Sequence, residues 1–479
     1  QSSNPIDQEI EYTFTFDKPT LNIIQRENNT FTRIKSGDLP LSIISDKPEI
    51  PMKPLALLLP YQTSLTSITV EPMTIKTRIE NKIQNILKGP LSKTYTNESN
   101  EDTSTTFSFF DETEYYPESD WEKIGIQYQK GYPILYVNLH PVQILQAEHT
   151  LKYIPEIKIT LTVNSHPQNN QPKLWAKDEI RTIVDNPEML STYEQSPAIL
   201  NQDLNQDCDY VIITSENLSQ PSESFEFSFE DLISYRESQG LSCTIKTVES
   251  IITEYEGLDT QEKIRNFIKD AYTNWNTQWV LLGGDQEIIP PRFLYSIDGQ
   301  EQNEKKVASD LYYQCLDGSY NYDGDSRWGE EFDGVNGDRI DLLAEVYLGR
   351  APVDDKQDVS AFVEKTLTYE QSDIDEDSYL SNILAAGEEL WDGPGGYGKG
   401  YVERCIDFCE DYNHETYGIP SDKYEITRLY EQDQVWSDDD VIDVINNGVN
   451  IINHVGHGTM VSAMKLGTIE LDELENTGK

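Results

Sequence analysis

His457 is one of only six histidines in 479 residues, and it closes an apolar, β-branched run, Ile451-Ile-Asn-His-Val-Gly-His457-Gly458-Thr459. An imidazole is the side chain best suited to moving a proton near neutral pH, and a strand end holds it rigidly while the following loop admits substrate. The glycines on either side let a backbone come close to a ligand. His457 is therefore the first candidate for a general base. Five cysteines, at 208, 243, 315, 405 and 409, all precede it. Cys405 and Cys409 share i, i+3, i+4, i+7 spacing with Val402 and Ile406, which predicts a buried helix face and not a metal or redox pair. His454 and His457 make a poor metal pair, since residues three apart on a strand point to opposite faces and no tetrahedral set is assembled nearby.

A second chemistry-bearing stretch is Asp317-Gly-Ser-Tyr-Asn-Tyr-Asp323-Gly-Asp325-Ser-Arg-Trp-Gly-Glu330. Hard oxygen donors at alternate positions, with glycines for turning, predict a structural calcium loop that is not an EF-hand. Its expected ligands are Asp317, Asp323, Asp325, Glu330 and the main-chain carbonyl of Arg327. Clustered carboxylates need a counter-cation to sit close together.

The elements that must position these groups change character along the chain. Up to about Val163, segments such as Glu11–Phe16, Pro133–Leu139 and Lys158–Val163 alternate apolar and polar residues, which predicts half-buried antiparallel strands. Residues 1–165 are thus a β-rich domain. Residues 166–206, rich in Asn, Gln, Pro and Asp, read as a linker. Residues 207–479 switch to continuous apolar strands separated by amphipathic helices, the pattern of a mostly parallel α/β sheet flanked by helices. Strands are expected at Tyr210–Thr214, Cys243–Val248, Trp279–Leu282, Ala344–Leu348, Asn382–Ala386, Tyr424–Thr427 and Val449–Ile452. One helix sets Ile264, Phe267, Ile268, Ala271 and Trp275 on a single face after an Asp259/Glu262 cap; another follows Ser437 and stops at Gly448. A glycine-rich segment, Trp391–Gly400, follows a strand end on the same sheet edge as His457, where a mobile loop beside a site is expected.

The formal charge of −48 is unevenly spread, with 18 Lys+Arg against 26 Asp+Glu in residues 1–200 and 19 against 59 in residues 201–479. Such a field repels phosphates and anionic lipid and attracts divalent cations and basic polypeptides, so nucleic-acid binding is excluded. No run is apolar enough to span a bilayer, and the first residue, Gln1, is not an initiator methionine, which together predict a processed, extracellular polypeptide.

Three readings of the histidine segment compete. Gly458-Thr-Met-Val-Ser-Ala463 looks like the histidine segment of subtilisin-type serine peptidases, but the aspartate strand and the Gly-Thr-Ser nucleophile of that fold are missing. A histidine metal site lacks partners. The third reading takes several motifs together. Asn453-His-Val-Gly-His457-Gly458, preceded by Trp279-Val-Leu-Leu-Gly-Gly-Asp285…Ile289-Pro290, by Ser309–Gly318 and by Glu345-Val-Tyr-Leu-Gly-Arg350, resembles the gingipain-type cysteine peptidases of the caspase-like clan. Tyr136-Val-Asn-Leu-His-Pro141 and Leu151–Val163 resemble the β-rich prodomain that keeps such enzymes latent.

The resemblance implies a caspase-like catalytic domain in which His457 serves a cysteine thiolate as general base and acid, the Gly458 N–H is an oxyanion donor, and Glu388, or failing it Glu389, orients the histidine. In that family the nucleophilic cysteine follows the histidine, and no cysteine follows His457. The resemblance therefore implies that the thiol comes from a second, downstream chain of the same precursor, cleaved between the histidine and cysteine strands; Lys479 fits a cut after a basic residue. The acid that would select a basic substrate residue has no match at Lys399-Gly400-Tyr401, leaving Asp392 or Glu403 as substitutes. The expected function is a secreted, self-processing cysteine endopeptidase zymogen acting on peptide or protein substrates. The alternative is an inactive surface binding protein on the same scaffold.

Overall fold

The computed structural model describes residues 8–26, 29–42, 44, 47–79, 86, 113–145, 147–165, 172–194, 208–298, 303–334, 337–371, 378–391, 396–411, 414–459 and 461–475. They form two compact units, Gln1–Glu364 and Lys365–Lys479.

The first unit opens with two antiparallel sheets. The strands are β1 (Gln8–Thr15), β2 (Lys53–Leu58), β3 (Thr63–Ile79), β4 (Trp121–Gln129), β5 (Tyr132–Leu139), β6 (Val142–Leu145) and β7 (Thr150–Ser165); β1 and β7 alternate in burial as expected of half-buried strands, whereas β2, β5 and β6 are buried along most of their length. β7 is the hub of one sheet, pairing with β1, β3 and β6; β5 is the centre of the other, between β2 and β4. Ile157, Ile159, Leu161 and Val163 of β7 share one core with Leu55, Leu57, Leu135 and Val137, so the two sheets bury their apolar faces against each other.

Within the segment expected as a linker, the described residues 172–194 are structured. Short helical turns fill Leu174–Ala176, α1 (Lys177–Ile183), Pro187–Leu190 and Ser191–Glu194. They cover the outer face of the second sheet, where Ile180, Val184, Leu190 and Tyr193 pack on Ala56, Leu58, Tyr132 and Ile134. Asn186 accepts from the N–H of Leu58 at 2.8 Å and donates to its carbonyl at 3.0 Å, satisfying the edge of β2 as a neighbouring strand would. Composition alone misplaced this segment because its few apolar residues are spaced for short turns, not for a long amphipathic helix.

After it, β8 (Tyr210–Thr214), β9 (Cys243–Thr247), β10 (Trp279–Gly283) and β11 (Tyr347–Ala351) form a parallel sheet in the order β9-β8-β10-β11. Parallel strands need long crossovers, and α2 (Thr260–Asn274) is one of them. Asp259 caps it by accepting from the Glu262 N–H at 2.9 Å, and Ile264, Phe267, Ile268 and Ala271 are buried as the spacing requires. The last strand begins three residues later than expected. Ala344 and Glu345 lie outside it because the Glu345 carboxylate turns inward to accept the Leu316 N–H at 2.7 Å.

The second unit holds a three-stranded parallel sheet in the order β13-β12-β14, made of β12 (Asn382–Gly387), β13 (Glu425–Tyr430) and β14 (Ile451–Val455). α3 (Asp438–Asn446) starts with a Ser437/Asp440 capping box and buries Val441, Ile442 and Ile445; Gly448 follows with φ +93°, the left-handed stop its position predicts. The helix expected through Cys405 and Cys409 is absent. Cys405 ends a 3-10 turn and is exposed, Asp407 takes a positive φ, and Cys409 belongs to a strand, Phe408–Asp411. The apolar spacing there is too short to compete with the Phe408–Asp411/His414–Tyr417 hairpin. Among the described residues no helix is long and apolar enough to cross a membrane.

Candidate active site

The site is built where β12 and β14 end side by side. Gly387 is in register with Val455, so Glu388 emerges beside the turn that carries His457. The main chain of Glu388 is fixed on both sides: its N–H donates to Val455 O at 3.0 Å, and its carbonyl accepts from Gly398 N at 2.7 Å. At 456 a Cβ would come within 2.2 Å of His454 Nε2 and 2.5 Å of the Glu388 carboxylate, so any larger residue would displace the ends of both side chains. The Gly-x-Gly spacing around His457 thus serves close packing of the acid as much as access for a ligand.

Glu388 is 6% exposed, and both of its oxygens are engaged. Oε1 lies 3.0 Å from His454 Nε2, while Oε2 accepts the main-chain N–H of His457 at 2.8 Å. The expected contact between Glu388 and the ring of His457 is not formed. Glu388 instead fixes the His457 backbone and holds the ring of His454. The His457 ring is exposed, with Nε2 3.3 Å from the carbonyl of Glu389, the residue expected as the fallback acid. Glu389 therefore meets the ring through its main chain, while its own N–H donates to the Glu431 carboxylate. Gly458 is exposed, and its N–H has no acceptor among the described residues. A freely pointing N–H next to an exposed imidazole is a suitable donor for a developing oxyanion.

None of the cysteines with a resolved shift has nucleophile character. Burial pushes the Cys315 thiol up to about 12 and that of Cys243 up to about 11, the reverse of what a thiolate requires. The positions considered for selecting a basic substrate residue are also committed. Lys399 pairs with Asp433 at 2.7 Å, and Glu403 binds Arg428 and the Tyr430 hydroxyl, each at 2.8 Å. Asp392 and Lys479 lie outside the described residues.

The acidic loop converges differently from expectation. Carboxylate oxygens of Asp323, Glu330 and Asp333 lie within 4.8 Å of one another. Asp333, which spacing alone did not single out, is buried and organises the loop by accepting from the N–H groups of Tyr322, Gly329 and Glu330. Asp325 is turned to the Arg327 N–H at 2.6 Å, and the Arg327 guanidinium faces Glu330 at 3.4 Å. Asp317 is held elsewhere, its carbonyl accepting from Arg265. Asn321 Oδ1, in the same loop, is buried with no hydrogen-bond partner. Three converging carboxylates are a donor set that suits a hard cation.

The other motifs meet at Arg350, the last residue but one of β11. Its guanidinium grips Asp310 through two bonds of 2.7 Å and donates to the carbonyls of Gly284 and Ile289 at 2.8 and 2.9 Å. Three sequence-distant motifs are thus one structural staple.

A strand-end imidazole with its backbone held by a buried carboxylate, in a parallel α/β sheet, is placed where it can take up and return a proton. The chain belongs to peptidase family C25, whose family model matches residues 203–479. It is 23% identical over 264 residues to gingipain R2 of Porphyromonas gingivalis, an alignment that covers 54% of this chain and 30% of that protein. Lys-gingipain of the same organism is 22% identical over 212 residues, covering 42% of this chain and 10% of the relative. Among solved structures, the Arg specific cysteine proteinase gingipain R is similar with a TM-score of 0.37 and 19% identity, covering 56% of this chain and 52% of that one. The complex of Porphyromonas gingivalis RgpB pro- and mature domains is matched with a TM-score of 0.28 and 17% identity, over 38% of this chain and 92% of that one. The chain spans about 30% of the length of gingipain R2.

Proposed function

We propose that this chain is the latent precursor part of a cysteine endopeptidase, supplying the base and the oxyanion donor for peptide-bond hydrolysis by a thiolate that lies downstream on a second chain of the same precursor. The observation that carries this reading is the exposed His457 ring next to the Gly458 N–H, on a turn whose His457 main chain is held by Glu388. The imidazole takes the thiol proton, the thiolate attacks the carbonyl carbon, the oxyanion is met by the Gly458 N–H, and the imidazolium gives the proton to the leaving amine as the C–N bond breaks; water, deprotonated by the same imidazole, then attacks the thioester, the C–S bond breaks, and the thiolate recovers its proton as the acid product leaves.

The open edge of the sheet supports a further strand there. β14 pairs only with β12 among the described residues, and its Ile451 and Ile452 are 41% and 39% exposed. An apolar strand edge left in water is unfavourable, and a following parallel strand bearing the cysteine would cover it. Cleavage after Lys or Arg is supported by the names of the Arg- and Lys-specific relatives and by the acidic second half. The β-rich domain is read as the prodomain, autoprocessing as the route to activity, and the extracellular space as its setting. Asp323, Glu330 and Asp333 would hold a structural Ca2+, which would offset the mutual repulsion of their carboxylates.

A biotinylated peptidyl acyloxymethyl ketone with Arg or Lys at the reactive position tests this on the full precursor. Labelling of a downstream polypeptide that is lost in His457→Ala supports the reading. One intact, unlabelled species without amidase activity overturns it in favour of an inactive binding protein.

A further inference from the structure

Both oxygens of Glu388 are taken, one by His454 and one by the His457 main chain, and neither reaches the His457 ring. The contact that ring does make, Nε2 to the Glu389 carbonyl at 3.3 Å, depends on where the main chain of Glu389 is held. Its N–H is bound by a carboxylate 42 residues further on, Oε2 of Glu431. Glu431 stands just past β13, and its own N–H donates to Gly387 O at 3.0 Å, so the neighbouring strand end presents the carboxylate.

Glu431 is pinned in turn. Oε1 pairs with Lys465 Nζ at 2.6 Å. The same ammonium donates to the Trp436 carbonyl at 2.6 Å and lies 4.2 Å over the ring of Trp436, which is buried in one core with Val441, Ile442 and Ile445 of α3. Lys465 sits in the turn of a short hairpin, Ser462–Ala463 paired with Leu466–Gly467, at φ +63° after Met464 at +55°. Two-residue turns of that kind favour Asn and Gly, so the turn gives no reason for a lysine, whereas the contacts of its ammonium do. The hairpin is tied back to the site, with the Thr459 N–H donating to Ser462 O at 2.8 Å and Gly458 bridging Ala463. The other charged groups around the turn are engaged with one another, Glu388 with His454 and Lys399 with Asp433. Burial favours the neutral form of Glu431, but the Lys465 ammonium, the Glu389 N–H and, last, the His457 charge together hold its carboxyl below the usual range.

We propose that Glu431 is the positioning residue for the His457 ring, acting through the Glu389 main chain with Lys465 as its anchor. A carbonyl only accepts, so the Glu389 contact selects the tautomer with its proton on Nε2 and leaves Nδ1 to take the proton of a nucleophile. Glu388 fixes the backbone of the base and Glu431 fixes its ring, a division of labour between two strand ends. The consequence for turnover rests on the proposed function; the hold on the ring does not.

The ring is followed by magnetic relaxation of isotope-labelled histidine ring carbons in the full chain, with the His457 signal assigned by its loss in His457→Gln. The wild-type ring is expected to be ordered. In Glu431→Ala and in Lys465→Met it is expected to gain motion on the ps–ns timescale, while Lys465→Arg, which can keep the ion pair and the stack on Trp436, restores the order. In a precursor that carries the thiol, kcat is expected to fall about 10- to 100-fold in Glu431→Ala and about 3- to 10-fold in Lys465→Met, with KM within about twofold, and to return to within about twofold of wild type in Lys465→Arg. Should Glu431→Ala fail to fold, the two Lys465 variants carry the test. A ring as ordered in the disrupting variants as in wild type, or a Lys465→Arg chain as damaged as Lys465→Met, overturns the positioning role. Loss of ring order with no amidase activity even in wild type would sink the catalytic reading and leave the positioning standing; full activity with an ordered ring in Glu431→Ala would do the reverse.

Discussion

Arg350 and His457 stand at comparable places, one near the end of β11 and the other two residues past the end of β14, and they have opposite fates. Arg350 spends its donors inward, on a carboxylate and main-chain carbonyls that knit three loops together. His457 has its backbone fixed by Glu388, while its ring is exposed, with one long contact among the described residues. A polar residue at a strand end is structural when its hydrogen-bonding capacity is consumed by the protein, and available for chemistry when only its backbone is. The sequence assigns a role to His457 and none to Arg350; geometry gives Arg350 a structural one.

The largest effect that would break this contrast is on turnover. If the proposed function holds, His457→Ala in a precursor that carries the thiol lowers kcat by about 10³- to 10⁴-fold with no change in Tm beyond about 1 °C, because the ring is exposed. Arg350→Met should do the reverse. Leaving Asp310 and its carbonyl partners unpaired costs about 2–4 kcal/mol, read as a lower urea midpoint. If His457→Ala unfolds the chain, or Arg350→Met leaves stability unchanged, the two positions have been assigned the wrong way round.

Much of the frame supporting this contrast is written in local sequence. The Asp259 cap, the apolar face from Ile264 to Ala271 and the Gly448 stop depend only on neighbours within two turns, so reading along the chain finds them. The partner of Glu388 is another matter. Which of two histidines faces its carboxylate depends on the register of β12 against β14, where Ala386 lies opposite His454 and Gly387 opposite Val455. Asp333 was illegible for the same reason: its loop is closed by long-range N–H donors and not by the spacing of its acids. The helix read through Cys405 and Cys409 failed because four apolar residues are weaker evidence than a hairpin that satisfies the backbone.

Glu388→Gln sharpens the comparison at smaller scale. The amide can keep one oxygen on the His457 N–H but presents a donor where His454 Nε2 now faces a carboxylate oxygen, forcing the other tautomer or breaking the bond. Since Glu388 acts on the ring of His457 only through its backbone, the expected result is a fall in kcat of about 10- to 100-fold with KM within about twofold. A loss as deep as that of His457→Ala would mean that Glu388 touches the reacting ring after all.

The smallest effect concerns a carboxylate as buried as Glu388 but less well partnered. Glu345 is 1% exposed; Oε2 accepts the Leu316 N–H, while Oε1 is buried with no partner. Burial, and then the nearby Asp317, push its pKa well above the usual carboxylate range, against a smaller opposing effect from the Leu316 N–H and Lys130. A carboxyl that holds its proton more tightly when folded stabilises fully below its ordinary value near 4.5 and loses that contribution as pH rises toward the folded value. Glu345→Gln keeps an oxygen for Leu316 and carries no charge to desolvate. It should therefore be about 0.5–1 kcal/mol less stable than wild type near pH 4, where the protonated acid already fits, and about 1–2 kcal/mol more stable near pH 8. Thermal unfolding of both proteins across that range should give curves that cross; parallel curves would show that the acid is held ionised, by the same kind of full engagement that distinguishes Glu388.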